Sequence, residues 1–238
     1  MKHTTIGNTV FAALMVWSMS AFGQANPQTN TNTPTLPTEA VPALNLPPVP
    51  LPPTVPVIDP AKELKGLLLI EALRKGGFVL YMRHAETGVV TEKCDQSNLS
   101  ANGEESARNV GAALRELKIP VGAVRSSQPC RTADTARLLG LGAVETTEDL
   151  NPVAPRPGFD IGAARSRRLA EMPTAGTNTV LVSHLHGSIK KEEWLHLEMA
   201  EIIVFRPDGN GHAEPVARMR LGGWPALTKA MAANGATQ

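Results

Sequence analysis

The stretch FVLYMRHAET, Phe78 to Thr87, decides the fold. Its first five residues are apolar, the length and pattern of a strand buried on both faces. The apolar run then stops at Arg83-His84. A guanidinium beside an imidazole at the end of a buried strand loses hydration unless it meets solvent or an anion. The pair is therefore either solvated loop or an anion site, and the rest of the chain has to separate the two.

Downstream, Ser100 is placed to cap a helix that carries Glu104 and Glu105 in its first turn, with Ala107, Val110, Gly111, Leu114 and Leu117 on one face. Val121–Val124 reads as a second strand, ending in Arg125-Ser126-Ser127, and a helix follows from about Arg131 to Leu139. Asp160 caps a further helix that Pro173 ends, and Thr179–Ser183 is a third strong strand. Glu201–Phe205 and the segment near Val216 are expected as final strands at a sheet edge. Upstream, Asp59-Pro60 is expected to open a helix through about Lys75, stopped by Gly76-Gly77. The residues between His84 and Asn98 read as a polar loop. Strands alternating with helices imply a mostly parallel sheet covered on both faces, and no internal repeat is present.

The N-terminus points to export. Lys2 and His3 precede an apolar run, Val10 to Met19, with small residues after it. This is the pattern of a signal peptide over residues 1–25, cleaved near Gly23 or Ala25. The run is shorter than the ~20 residues needed to span a bilayer, so no stable membrane span is expected after cleavage. A periplasmic location follows if the source is a Gram-negative bacterium. Eleven of the 20 prolines fall between residues 27 and 60, so residues 26–60 are expected to form an extended linker. The folded domain is then residues 61–238. That domain holds 22 basic against 20 acidic residues, a balance that excludes a nucleic-acid-binding excess. Anion recognition has to be local.

Three strand-like runs each end in polar residues: Arg83-His84 after the first, Arg131 at a helix start after the second, and His184 after the third. Parallel strands bring all three to the carboxyl edge of the sheet, where ligands bind in open α/β folds. Two guanidiniums, two imidazoles and a helix N-terminus suit a phosphoryl group, because arginine matches phosphate oxygens bidentately. A neutral imidazole can attack phosphorus, and the cations can hold the transition-state oxygens. The side chains supply the positive charge, so no metal or cofactor is expected.

These same segments carry a family resemblance. LYMRHAET resembles the Arg-His-Gly/Ala-Glu-Thr signature of the histidine phosphatase superfamily, which has the phosphoglycerate mutase-like fold. NLSANGEESARNVGAALRELKIPVGAVRSSQPCRTADTARLLG is similar to its Leu-(Ser/Thr)-x-x-Gly loop, helix and Ser-Ser-Pro-x-x-Arg segment, and TVLVSHLHG to the strand before its second histidine. AEIIVFRPDGNG and Trp224 resemble the closing edge of small exported bacterial members. The likeness spans roughly residues 66–225. It implies a three-layer α/β/α sandwich with a mostly parallel sheet, and a metal-independent phosphomonoester hydrolase. His84 would be the phosphorylated nucleophile, Arg83 and Arg131 phosphate clamps, and His184 the second histidine at the phosphate. The implied partner is a phosphorylated small molecule or an envelope component, with no role for nucleic acid. Two other functions share these residues: a phosphotransferase or mutase, and a non-catalytic phosphate-binding module.

The chain departs from the pattern twice. Gln128 stands between the two serines and Pro129, which calls for a modest loop adjustment that keeps Arg131. Pro152 takes the place of the acid in the family's Leu-x-Glu segment. Glu148 and Asp149 are the nearest candidate proton donors, with Glu201 a more distant one. His186 starts a His-x-His pattern, but no further ligand follows at metal-site spacing, and it reads as loop; His196 reads as surface. Cys130 fails the Cys-x5-Arg spacing of tyrosine phosphatases, since Arg137 arrives one residue late. In an exported chain whose only cysteines are Cys94 and Cys130, a disulfide between them is the expectation, against two buried thiols. Arg165, Arg167 and Arg168 read as a solvated helix face, and Arg156 or Lys190 could widen a positive rim.

Overall fold

A computed structural model describes residues 58–91, 94–184, 188–190, 193–194 and 197–235. The residues expected as signal peptide, nearly all of those expected as linker, His186 and His196 lie outside these residues.

The strand expected at Phe78–Met82 forms as β1, Val79–Arg83. It is one of six strands in a single sheet. The others are β4 (Val121–Ser126), β5 (Val144–Thr146), β6 (Asn178–Ser183), β9 (Ile202–Pro207) and β10 (Ala213–Met219). Their order is β10-β9-β1-β6-β4-β5. β1, β6, β4 and β5 run parallel, while β9 and β10 complete the sheet antiparallel. β10 and β5 are the two edge strands, and β9 is enclosed between β10 and β1.

Side chains alternate across this sheet as the two-residue period of a strand requires. On one face Leu80, Met82, Val180, Val182, Ile202 and Val204 pack with α1 (Gly66–Lys75), α2 (Ala101–Glu116), α3 (Cys130–Leu138) and α5 (Gly223–Gly235). On the other, Val79, Tyr81, Leu181, Ile203 and Phe205 pack with Leu150 and with Leu169 of α4 (Ile161–Ala170). The result is three layers, with strands apolar on both sides. Trp224 is buried at the start of α5, a helix not evident from the sequence.

Local chemistry explains the element boundaries that position the site. The Ser100 hydroxyl accepts from Gly103 N at 3.0 Å and caps α2, and the Asp160 carboxylate does the same for Ala163 N at 2.9 Å in α4. Gly103 is required by contact: a Cβ there would lie 2.0 Å from the carbonyl oxygen of Glu86. That close approach seats α2 against the segment that follows His84. Asn178, buried at the start of β6, donates to Leu73 O and Pro120 O and accepts from Phe78 N, tying α1, β1 and β4 together.

Three expectations are corrected. The helix expected from Asp59 begins only at Gly66, because Leu64 N donates to Val216 O at 2.7 Å and holds residues 63–65 extended along β10. The polar loop after His84 contains an antiparallel hairpin, β2 (Thr87–Thr91) with β3 (Cys94–Leu99). Its polar side chains conceal the strand pattern. Arg165 is not solvated but 2% exposed. A short hairpin, β7 (Ser188–Lys190) with β8 (Glu193–Trp194), follows the third strand end.

Candidate active site

Strand register builds the site. Arg83 pairs with Ser183 across β1 and β6, and Ser126 with Val182 across β4 and β6. The next residues of β1 and β6, His84 and His184, therefore emerge level with each other, and Ser127 leaves β4 one residue short of them, level with Ser183. His84 N donates to Ser183 O at 2.9 Å, and Ser127 N to Val182 O at 3.0 Å. The two imidazole centroids are 5.5 Å apart, edge to face. Arg131, the second residue of α3, reaches the same place, with its Nη2 3.1 Å from His184 Nδ1.

His84 is 6% exposed, and its Nδ1 lies 2.8 Å from the Ala85 carbonyl oxygen. A carbonyl only accepts, so Nδ1 carries the proton and Nε2 of the neutral ring keeps its lone pair. Burial lowers the His84 pKa to about 4, with the nearby guanidiniums of Arg131 and Arg83 adding to the shift and the Ala85 carbonyl opposing it. The ring is neutral at pH 7. Ala85 is fixed in turn: its N–H donates to Thr135 Oγ1 at 3.0 Å, and that hydroxyl donates to Arg131 O at 2.7 Å.

Arg83 donates from Nη1 to Leu197 O at 2.8 Å, and its buried Nε has no hydrogen-bond partner among the described residues. Burial, then the nearby Arg131, lowers its pKa, and burial lowers that of Arg131. Two like charges share a partly desolvated space, which favours an anion between them. The segment 197–201 braces this end of β1. Ala200 N donates to His84 O, and Arg83 N to Glu201 O. The fully buried Glu201 carboxylate is occupied by Arg218 and by the N–H of Glu198.

His184, 4% exposed, is more perturbed than His84. Burial first, then Arg131, His84, Arg165 and Arg83, lower its pKa to about 2. Its Nε2 lies 2.8 Å from Ser127 Oγ, which donates to Asn151 Oδ1 at 3.0 Å. Gln128, the extra residue before Pro129, exchanges hydrogen bonds with Asn151 through its N–H and its side-chain carbonyl. The loop absorbs the insertion and α3 still starts in time to deliver Arg131. Arg165 donates from Nη2 to Asn151 O at 2.8 Å.

The structure thus brings Arg83, His84, Arg131 and His184 together. The candidate acids stand in ion pairs, Glu148 with Arg156 at 2.5 Å and Asp149 with Arg168 at 2.7 Å. Cys94 and Cys130 are joined by a disulfide linking the start of β3 to the residue before Arg131. The sequence assigns Thr135 and Asn151 no role, shows Ser127 only as the end of the second strand, and places Arg165 on a solvated helix face. No group of three His, Cys, Asp or Glu side chains suited to a metal ion occurs among the described residues, and no described helix is long and apolar enough to cross a membrane.

Residues 79–154, from β1 through the segment that holds Asn151, match the family model of the histidine phosphatase superfamily (branch 1). Over these residues the chain is similar to the histidine phosphatase superfamily. Among solved structures it is similar to the protein histidine phosphatase SixA complexed with tungstate, at 18% identity, 61% of this chain, 98% of that chain and a TM-score of 0.49. It is also similar to a phosphoserine phosphatase variant from Entamoeba histolytica in complex with phosphoserine, at 16% identity, 60% and 97% coverage and a TM-score of 0.41. A putative phosphohistidine phosphatase SixA from Agrobacterium tumefaciens matches at 12% identity, 60% and 97% coverage and a TM-score of 0.43. No curated protein matches the sequence. The mostly parallel sheet between helical layers is the three-layer α/β/α arrangement expected from the sequence.

Proposed function

We propose that this protein hydrolyses phosphomonoesters without a metal, through a phosphohistidine on His84. The observation that carries the proposal is the protonation of His84: Nδ1–H is tied to Ala85 O, and the neutral ring keeps its Nε2 lone pair beside two guanidiniums. Nε2 attacks phosphorus, forming a P–N bond as the bond to the ester oxygen breaks and that oxygen leaves as the alcohol with a proton from the monoanionic ester or from water. Arg83 and Arg131 hold the non-bridging oxygens through the transition state. Water then attacks the phosphorus, the P–N bond breaks, and inorganic phosphate leaves with the ring neutral again. An exported enzyme of this kind would meet phosphate esters of the cell envelope, and we propose that compartment from the N-terminal residues.

The test is hydrolysis of p-nitrophenyl phosphate in the presence of chelator. Turnover and an acid-labile, alkali-stable phosphoenzyme are expected, both abolished in His84→Ala. Retained turnover in that variant overturns the mechanism. Transfer of the phosphoryl group to an added alcohol in preference to water would replace hydrolysis with phosphotransfer.

A further inference from the structure

We propose that Asn151, acting through Ser127, fixes His184 as its Nε2–H tautomer, so that a bound phosphate dianion draws one proton onto His184 Nδ1. The proposal rests on the reading of this pocket as a phosphate site and assigns positioning roles to two residues that do not touch phosphate.

Each proton in the chain of contacts is assigned by a group with no choice. Gln128 N–H can only donate, so the Asn151 atom it meets at 3.2 Å is Oδ1 and not the amide nitrogen. An amide oxygen can only accept, so the single Ser127 hydroxyl proton points to Asn151. Ser127 Oγ then has only lone pairs for His184 Nε2 at 2.8 Å, and Nε2 carries the hydrogen. At the other side of the ring Arg131 Nη2 can only donate, so Nδ1 is bare. Two obligate donors, one at each end, leave one tautomer.

That tautomer presents a lone pair on the side of the ring facing Arg131. A phosphate oxygen drawn in by Arg131 meets this lone pair, and the repulsion ends only when Nδ1 takes up a proton. With Nε2–H held by Ser127, the ring then becomes an imidazolium. A dianion takes the proton from solvent; a monoanionic ester brings its own. The charged and titratable groups facing His184 among the described residues are Arg83 and His84 from β1, Arg131 from α3 and Arg165 from α4. None is a carboxylate, so the free ring is unprotonated and the uptake is a full proton. Without Asn151, once Arg131 has turned from Nδ1 to the phosphate, the Ser127 hydroxyl is free to donate to Nε2, the neutral ring can hold its proton at Nδ1, and a dianion binds with no proton taken up.

The experiment has two arms on the full chain. The first is 15N NMR of the histidine side chains without ligand, where His184 is expected as Nε2–H with Nδ1 bare. The second is calorimetry with molybdate, a dianion throughout the neutral range, in buffers of differing ionisation enthalpy. The wild type is expected to take up close to one proton per molybdate. Asn151→Leu and Ser127→Ala should bind with well under half of that uptake, while Asn151→Asp, which keeps the acceptor, should retain it. Ser127→Ala removes one oxygen from a small side chain and remains informative if Asn151→Leu does not fold. An Nδ1–H tautomer in the free wild type overturns the proposal, as does unchanged uptake in the two disrupting variants. Failure of the wild type to bind molybdate overturns the phosphate reading and the uptake with it, while an Nε2–H signal would still uphold the tautomer lock.

Discussion

The Cys94–Cys130 disulfide closes a segment of 36 residues that contains α2 and β4. Cross-linking a loop of that length removes unfolded-chain entropy equivalent to about 4 kcal/mol. Domains of this kind have total stabilities of roughly 5–15 kcal/mol, so the bond is a large share of the whole. With a urea slope of about 2 kcal/mol per molar, its loss moves the unfolding midpoint down by about 2 M. The perturbation is the double substitution Cys94→Ser with Cys130→Ser, compared with the oxidised chain by urea denaturation. Peptide mass spectrometry without reductant verifies the bond in the parent. A second readout follows from where the bond sits. It joins the first residue of β3 to the first residue of α3, one position before Arg131. The variant should therefore show a raised KM for aryl phosphate even where it remains folded, because the hairpin after His84 and the arginine on α3 lose their common tether. Midpoints that coincide within about 0.3 M would refute the entropy reasoning. An unchanged KM would show that Thr135 alone holds Arg131 against the His84 segment.

Further expectations concern pH and packing. Because burial keeps His84 neutral down to about pH 4, kcat/KM expressed per monoanionic ester, which brings the proton that His184 takes up, should stay level from pH 7 to about 5 and fall below that; an enzyme limb near 6.5 would contradict it. The folded pKa values of His84 and His184 both lie below that of an unfolded histidine. The unfolded chain therefore binds more protons from about pH 6.5 down to each folded value, and stability measured by thermal melts should drop as pH falls through that window. Asn178→Ala strands Phe78 N in the core and leaves Leu73 O with only the Gly76 N–H, and should cost about 2 kcal/mol in urea denaturation. Gly103→Ala forces α2 away from Glu86 O, and displacement of the segment after His84 should lower kcat/KM by about 10–100-fold in a steady-state assay.

What was legible in the chain itself was whatever depends on near neighbours. A five-residue apolar run followed by Arg83-His84 announces a buried strand with a functional end. Ser100 and Asp160 announce caps, because a cap acts on the N–H three residues on. The convergence of His84, Arg131 and His184 was legible too, since parallel strands place their carboxyl ends together. Hidden were the features set by distant partners. The β2–β3 hairpin has no apolar alternation to betray it, and Arg165 reads as one of three basic residues on a helix until Asn151 O accepts from it across 14 residues. The proton on His184 is the plainest case. Sequence supplies an imidazole, but its tautomer belongs to Ser127, 57 residues away, and to Asn151 beyond it. A ring nitrogen is protonated or bare according to the group that faces it, and only the packed tertiary structure decides which group that is.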